Sequence, residues 1–149
     1  MTFEEFATAA GVRLRAGLVA AYGPTVGSDA AAEALAYGWE HWPRVGSMSN
    51  PAGYLFRVGQ TAARATRRRE GFLPAPSTAE LPDFEPALLP ALEALSDSQR
   101  VCVLLVHGYR WTQVEVAELL EVSPSTVRTH LARALANLQQ ALEVSPHDH

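Results

Sequence analysis

The sequence predicts an all-α protein: two small helical domains joined by a proline-rich linker, the second ending in a helix-turn-helix. Three observations carry that prediction. Apolar residues recur at three- and four-residue spacing in several segments, and no stretch alternates apolar and polar residues as a half-buried strand does. Ser or Thr followed three residues later by Glu or Gln, the signature of a helix start, occurs at Thr2–Glu5, Ser96–Gln99 and Thr112–Glu115. Between the helical halves lies GFLPAPSTAELPDFEPALLP, whose five prolines no helix can run through.

The elements follow in order. Thr2 caps a first helix that runs to about Tyr22 and ends at Gly23–Pro24. Ser28 or Asp29 caps a second, to about Trp42, stopped by Pro43, with Leu35, Trp39 and Trp42 as its large apolar anchors. Asn50–Pro51 opens a third, to about Glu70, with proline in its first turn. These make a domain over residues 1–70, followed by a linker at 71–86. The second domain, 87–143, should hold four helices: a short one over 87–95, one opened by Ser96, one opened by Thr112, and a last one capped by Ser123 with Pro124 at its first position. Residues 144–149 form a tail.

Composition narrows the function. The chain has 149 residues, 48% hydrophobic, with a net charge of −4. No apolar run of about 18 residues is present, so a membrane span is not expected, and the acidic start MTFEEF is wrong for a secretory signal. A cytoplasmic protein is the expectation. Cys102 is alone and sits in RVCVLLV, which reads as a buried core position. Neither a glycine-rich phosphate loop nor a Cys/His cluster at metal spacing occurs, so no enzyme activity, cofactor or metal is expected. The terminal His147–His149 reads as a frayed tail.

Charge is unevenly placed. All twelve basic residues are arginine. Arg57, Arg64, Arg67, Arg68 and Arg69 crowd one stretch, residues 70–97 hold six acids and no base, and residues 122–142 hold two arginines and no acid. On the third helix Arg57, Thr61, Arg64 and Arg68 are spaced four, three and four, one continuous stripe bordered by Gln60. No acid within the helix pairs with it before Glu70, so phosphate binding explains it better than a solvated face. On the second helix Asp29, Glu33 and Glu40 form an acidic face, suited to a basic partner or to solubility alone.

In VEVAELLEVSPSTVRTHLARAL two helical segments flank a tight turn. The first buries part of Val114, Val116, Ala117, Leu119 and Leu120; the second has Val127, Leu131, Leu135, Leu138 and Leu142 as a buried stripe. Ser125, Thr126, Arg128, Thr129 and Arg133 form its other side. Short hydroxyls and arginines near the N-terminus of the second helix suit entry into a major groove, where arginine can grip guanine through two hydrogen bonds.

Both halves together resemble the extracytoplasmic-function branch of the sigma-70 family of bacterial RNA polymerase sigma factors. Residues 28–69, SDAAAEALAYGWEHWPRV and NPAGYLFRVGQTAARATRRR, are similar to its region two. Residues 87–142 are similar to its region four. The resemblance implies that the second helix, at Asp29, Glu33 and Trp39, binds core RNA polymerase. It implies that the third helix, at Arg57, Gln60, Thr61, Arg64 and Arg68, with the loop Gly46–Asn50, engages the −10 promoter element and captures a flipped base. The last helix, at Ser125, Thr126, Arg128, Thr129 and Arg133, would read the −35 element. Three positions depart from the family: Ala32 stands for a glutamine, Thr61 for an asparagine and Gln60 for an arginine.

The implied function is promoter-specific transcription initiation with core polymerase and promoter DNA as partners, an anti-sigma factor as a further one, and a monomer when free. Two other classes fit the same residues. One is a stand-alone helix-turn-helix regulator, expected to be dimeric on palindromic sites. The other is a degenerate relative that titrates polymerase or an anti-sigma factor. Among Tyr37, Trp39, Trp42, Tyr54 and Phe56, at most one is expected to stack on an unpaired base; the rest are core or polymerase-facing.

Overall fold

A computed structural model describes residues 1–70 and 88–143. Helix α1 spans Phe3–Tyr22, α2 Pro24–Glu40, α3 Trp42–Val45 and α4 Pro51–Glu70. In the second half α5 spans Leu88–Glu93, α6 Asp97–Val103, a π-helical turn Leu104–Gly108, α7 Gln113–Leu120 and α8 Pro124–Glu143. No strand occurs among the described residues, as the all-α reading required. The linker expected at 71–86 and the tail at 144–149 lie outside the described residues.

The start signals are made as the sequence spelled them. Thr2, Ser96 and Thr112 each accept the backbone N–H of the residue three on, and Glu5, Gln99 and Glu115 each reach back to the cap's own N–H. Each reciprocal box satisfies two of the four orphan donors at a helix start, and losing such a cap costs about 1 kcal/mol. Ser123 accepts from Thr126 N at 3.1 Å and opens α8.

The second helix begins earlier than Ser28 or Asp29: it starts at Pro24, and both residues lie inside it. Gly23 is at once the end of α1 and the start of α2, with φ 89°. That left-handed value is open to glycine and strained for other residues, so the reversal takes a single residue and Pro24 begins the next helix at once. Pro43 does not end the second helix either. α2 stops at Glu40, and Pro43 sits in the first turn of α3, where a missing N–H is harmless.

One hydrophobic cluster runs through both halves, from Leu14, Leu18, Tyr22 and Phe56 to Val101, Leu105, Leu119 and Val127. α1 packs on α2, α4, α6 and the π-helical turn, and α4 packs on α7. Gly17 marks a close approach: a Cβ there would lie 2.7 Å from Leu119 Cδ2 and 2.9 Å from Phe56 Cε1. Cys102 is fully buried, as expected, and burial pushes its thiol up to about 11.

Three apolar positions fall differently from the pattern. Leu135 is 45% exposed, and Ala134 fills the buried place on α8. Val114, in the first turn of α7, is 62% exposed. Trp39 is 63% exposed and anchors no core; Trp42 does that work, tilted against Phe6 and edge-on to Phe3.

Candidate nucleic-acid interface

The C-terminal helix pair presents the expected face. Ser125, Arg128, Thr129 and Arg133 are exposed and Thr126 is half-buried, while Val127, Leu131, Ala134 and Leu138 are buried beneath them. Ser123 Oγ lies 2.9 Å from both Ser125 Oγ and Thr126 Oγ1, so three hydroxyls gather at the N-terminus of α8. Thr129 donates to Ser125 O at 3.1 Å. Hydroxyl clusters and free N–H groups at a helix start favour an anion. Neither Arg128 nor Arg133 makes an ion pair among the described residues, so both guanidinium forks are free for a ligand.

The turn before α8 carries strain. Glu121 has φ 58° and ψ 46°, a left-handed conformation that costs a non-glycine residue about 1 kcal/mol or more. The backbone N–H of Val122 donates to Ala117 O at 3.0 Å and closes the turn.

On α4, Arg57, Thr61, Arg64 and Arg68 are all exposed, so the stripe faces outward, and Gln60 is half-buried beside it. Phe56 and Ala63 take the fully buried face together with Leu55; Val58, Ala62 and Ala65 are half-buried. Arg57 and Arg64 of the stripe, and Arg67 beside it, nevertheless have acidic partners, which come from the other half of the chain. Arg57 pairs with Glu121 at 2.9 Å, and Asp97 receives Arg67 at 3.5 Å and Arg64 at 3.9 Å. Thr61 donates to Arg57 O at 3.1 Å, so its hydroxyl is engaged along its own helix.

Asp97 is also bonded to Arg100 at 2.8 Å. Arg100 is 8% exposed, and its guanidinium donates to Ala21 O through Nε at 3.2 Å and Nη2 at 2.8 Å and to Leu95 O at 3.0 Å. It thereby ties the end of α1 to the start of α6. Burial pulls this guanidinium below its usual value, and Asp97 pushes it back. Arg67 lies 4.9 Å over the ring of buried Tyr22. The seam continues where Asn50 donates to Glu118 O at 2.6 Å and Arg13 pairs with Glu115 beneath the Trp111 ring. Asp97, Arg100 and Glu121 were not singled out from the sequence. Their signal lay in fragments 30 or more residues apart, which no local pattern joins.

The acidic face of α2 is open: Asp29, Glu33 and Glu40 are exposed, with Trp39 exposed on the same helix. Ala32 is exposed as well. Before α4, Arg44 donates to Tyr37 Oη at 2.5 Å and to Tyr54 Oη at 3.5 Å, and His41 stacks on Tyr37 with centroids 4.1 Å apart. These bonds, Tyr37 first and then Arg44, lower the Tyr54 hydroxyl. In the loop Gly46–Asn50, Ser47 donates to Arg44 O, and Asn50 accepts from Gly53 N to begin α4. Among the five aromatics weighed for base stacking, Phe56 is buried and Trp42 is packed on Phe3 and Phe6.

Residues 87–138 match the family model described as Sigma-70, region 4. No curated protein matches the sequence. Among solved structures, the chain is similar to the sigma factor RpoE in its co-crystal with the anti-sigma factor NepR from Bartonella quintana: TM-score 0.66, 20% identity, 96% of this chain and 98% of that one covered. It is also similar to CnrH in complex with the cytosolic domain of CnrY, with TM-score 0.57, 20% identity, and 96% and 88% covered. Residues 87–138 thus match a sigma-70 region 4, and the chain shares the fold of these two solved sigma-factor structures. The resemblance to extracytoplasmic-function sigma factors stands on both findings. No helix among the described residues is long and apolar enough to cross a membrane.

Proposed function

We propose that the chain is a promoter-specificity subunit of RNA polymerase, with a region-two-like domain at 1–70 and a region-four domain at 87–143. The observation that carries the reading is the open face of α8, with Arg128 and Arg133 making no ion pair among the described residues, on a region-4-like module within a chain that has the sigma-factor fold. α8 reads the −35 element through Ser125, Thr126, Arg128, Thr129 and Arg133. The α4 stripe, Arg57, Gln60, Thr61, Arg64 and Arg68, holds DNA at the −10 element. Asp29, Glu33 and exposed Trp39 dock on core polymerase. The free chain is a cytoplasmic monomer whose inhibitor is an anti-sigma factor, the class of partner bound in the RpoE co-crystal.

A protein of net charge −4 binds DNA weakly alone, because non-specific affinity is largely electrostatic. Polymerase supplies the missing positive surface and positions both readers. The test is run-off transcription with purified core polymerase on a selected promoter pool. Factor-dependent transcripts that fall about 5- to 150-fold in promoter affinity on Arg128→Ala support the reading, since one bidentate contact discriminates by about 1–3 kcal/mol. Trp39→Ala should weaken polymerase binding by about tenfold or more without unfolding the chain. Absence of any polymerase binding would sink the reading and leave a stand-alone regulator.

One observation favours a second reading, a relative that binds polymerase without opening promoters. Thr61 has no side-chain amide where the family has asparagine, and its hydroxyl donates to Arg57 O. Polymerase binding without transcripts selects it.

A further inference from the structure

Of the DNA surfaces proposed above, one is open and the other is partly occupied. Among the described residues α8 presents Arg128 and Arg133 without an ion pair, whereas Arg57 and Arg64 of the α4 surface, with neighbouring Arg67, lie against carboxylates that belong to the region 4 half. We propose that Asp97 and Glu121 are built-in competitors for DNA phosphate: they clasp Arg57, Arg64 and Arg67 in the free chain and keep the α4 surface closed until DNA or polymerase displaces them. The inference rests on the reading of α4 as a DNA-facing helix.

A carboxylate meets a guanidinium fork much as a phosphate does, through charge-assisted hydrogen bonds. Glu121 bonds Arg57 at 2.9 Å, and Asp97 lies within 4.0 Å of Arg64, Arg67 and Arg100 at once. Arg64 and Arg57 are 52% and 61% exposed, so the pairs form at a wet surface where a polyanion can exchange with them. Asp97 is placed by a buried anchor: Arg100 is fixed by Ala21 O and Leu95 O and holds the carboxylate in register with α4. Glu121 sits at a left-handed position that glycine or asparagine fills with less strain. A strained residue whose side chain reaches across to another element is a sign of a retained contact. Closed together, the two halves leave the upstream-reading helix available and engage the downstream surface at Arg57 and Arg64. That order permits region 4 to engage first.

The test uses the full chain with fluorophores at cysteines replacing exposed Ala36 and Ala136, buried Cys102 remaining unlabelled. Distance between the halves and affinity for a single-stranded 20-mer are followed in wild type, in Asp97→Asn/Glu121→Gln, and in Glu4→Gln/Glu143→Gln, which changes net charge equally at exposed positions away from the clasp. The clasp variant should lengthen the distance and bind the 20-mer at least fivefold tighter at low salt. Its log affinity against log salt should steepen by roughly 1.4 to 2.1, from two to three freed phosphate contacts on a single strand. Adding Arg57→Ala and Arg64→Ala should abolish the gain. Equal affinity gain in the control variant, or an unchanged distance and affinity in the clasp variant, overturns the proposal. Opening without tighter binding overturns it too. Run-off transcription with Arg57→Ala polymerase holoenzyme then reports separately whether α4 contacts the promoter, so the two failures are told apart.

Discussion

Replacing Arg100 by methionine keeps the length and bulk of the side chain and removes its donors. Ala21 O loses two bonds, at 2.8 and 3.2 Å, and Leu95 O loses one at 3.0 Å. Each buried acceptor left without a partner costs about 1–3 kcal/mol. Asp97 keeps Arg67 and Arg64 nearby, so its charge is not stranded. Removing a buried guanidinium also returns its desolvation penalty, as replaced buried ion pairs have shown elsewhere. The balance is a destabilisation of about 2–4 kcal/mol, a large part of the roughly 5–15 kcal/mol that holds a domain together. Lysine keeps the charge but reaches one carbonyl at a time, and should lose about half as much. Urea denaturation followed by tryptophan fluorescence reads the effect as a lower midpoint at constant slope. A methionine variant within about 1 kcal/mol of wild type would show that the carbonyls find water instead, and the anchoring role of Arg100 would be refuted.

Three further outcomes follow from the same structure. The Cys102 thiol is pushed by burial from near 9 to about 11, so the unfolded chain loses its proton first as pH rises. Stability should fall by roughly 2–3 kcal/mol between about pH 9 and pH 11 on account of this group, at about 1.4 kcal/mol per unit. Urea midpoints of wild type and Cys102→Ala at pH 8 and pH 10.5 isolate the contribution; equal declines would refute it. Gly17→Ala gains about 1 kcal/mol of helix propensity but drives a methyl against buried Leu119 and Phe56, an overpacking that costs about 1–3 kcal/mol. The variant should melt lower than wild type, and Gly17→Val lower still; a higher melting temperature for Gly17→Ala would mean that the seam yields freely. Glu121→Gly removes the left-handed penalty of about 1 kcal/mol and gives up a surface ion pair worth about 0–1 kcal/mol. Its stability should be equal to or above wild type, and a loss beyond 1 kcal/mol would show the pair to be stronger than surface pairs are.

Helices and caps were legible because their signals are local. Thr2–Glu5, Ser96–Gln99 and Thr112–Glu115 announce themselves within four residues, and all three boxes form. The stripes of α4 and α8 were legible for the same reason, since helical spacing alone decides which residues share a face. Gly23 misled, because a glycine followed by proline both ends one helix and starts another, and only the φ of 89° distinguishes a loop from a one-residue reversal. Trp39 and Leu135 misled because hydrophobicity predicts burial only where an element exists to cover the side chain. The acidic partners of the arginine stripe were illegible in principle. The absence of an acid before Glu70 is true of the helix, but Glu121 is 64 positions from Arg57 and becomes its neighbour through packing alone.

Three of the positions where local preference is broken lie on one seam; Arg110, at φ 64°, is a break of the same kind as Glu121 outside this set. Glycine at 17 weakens a helix interior by roughly 0.5–1 kcal/mol relative to alanine. Arginine at 100 buries a charge where leucine would suit a core. Glutamate at 121 bends into a conformation that glycine takes without strain. If the two halves were merely tethered by the segment between them, each position would be better filled by alanine, leucine and glycine in turn, with no partner lost. Gly17 admits Leu119, Arg100 grips Ala21 O, and Glu121 grips Arg57, so each of these three is matched by a contact from the other half. Conflicts between local and global preference gather where a fold is shaped for something other than stability alone. Here they gather where region 4 closes on α4, which makes that closure a property written into the chain.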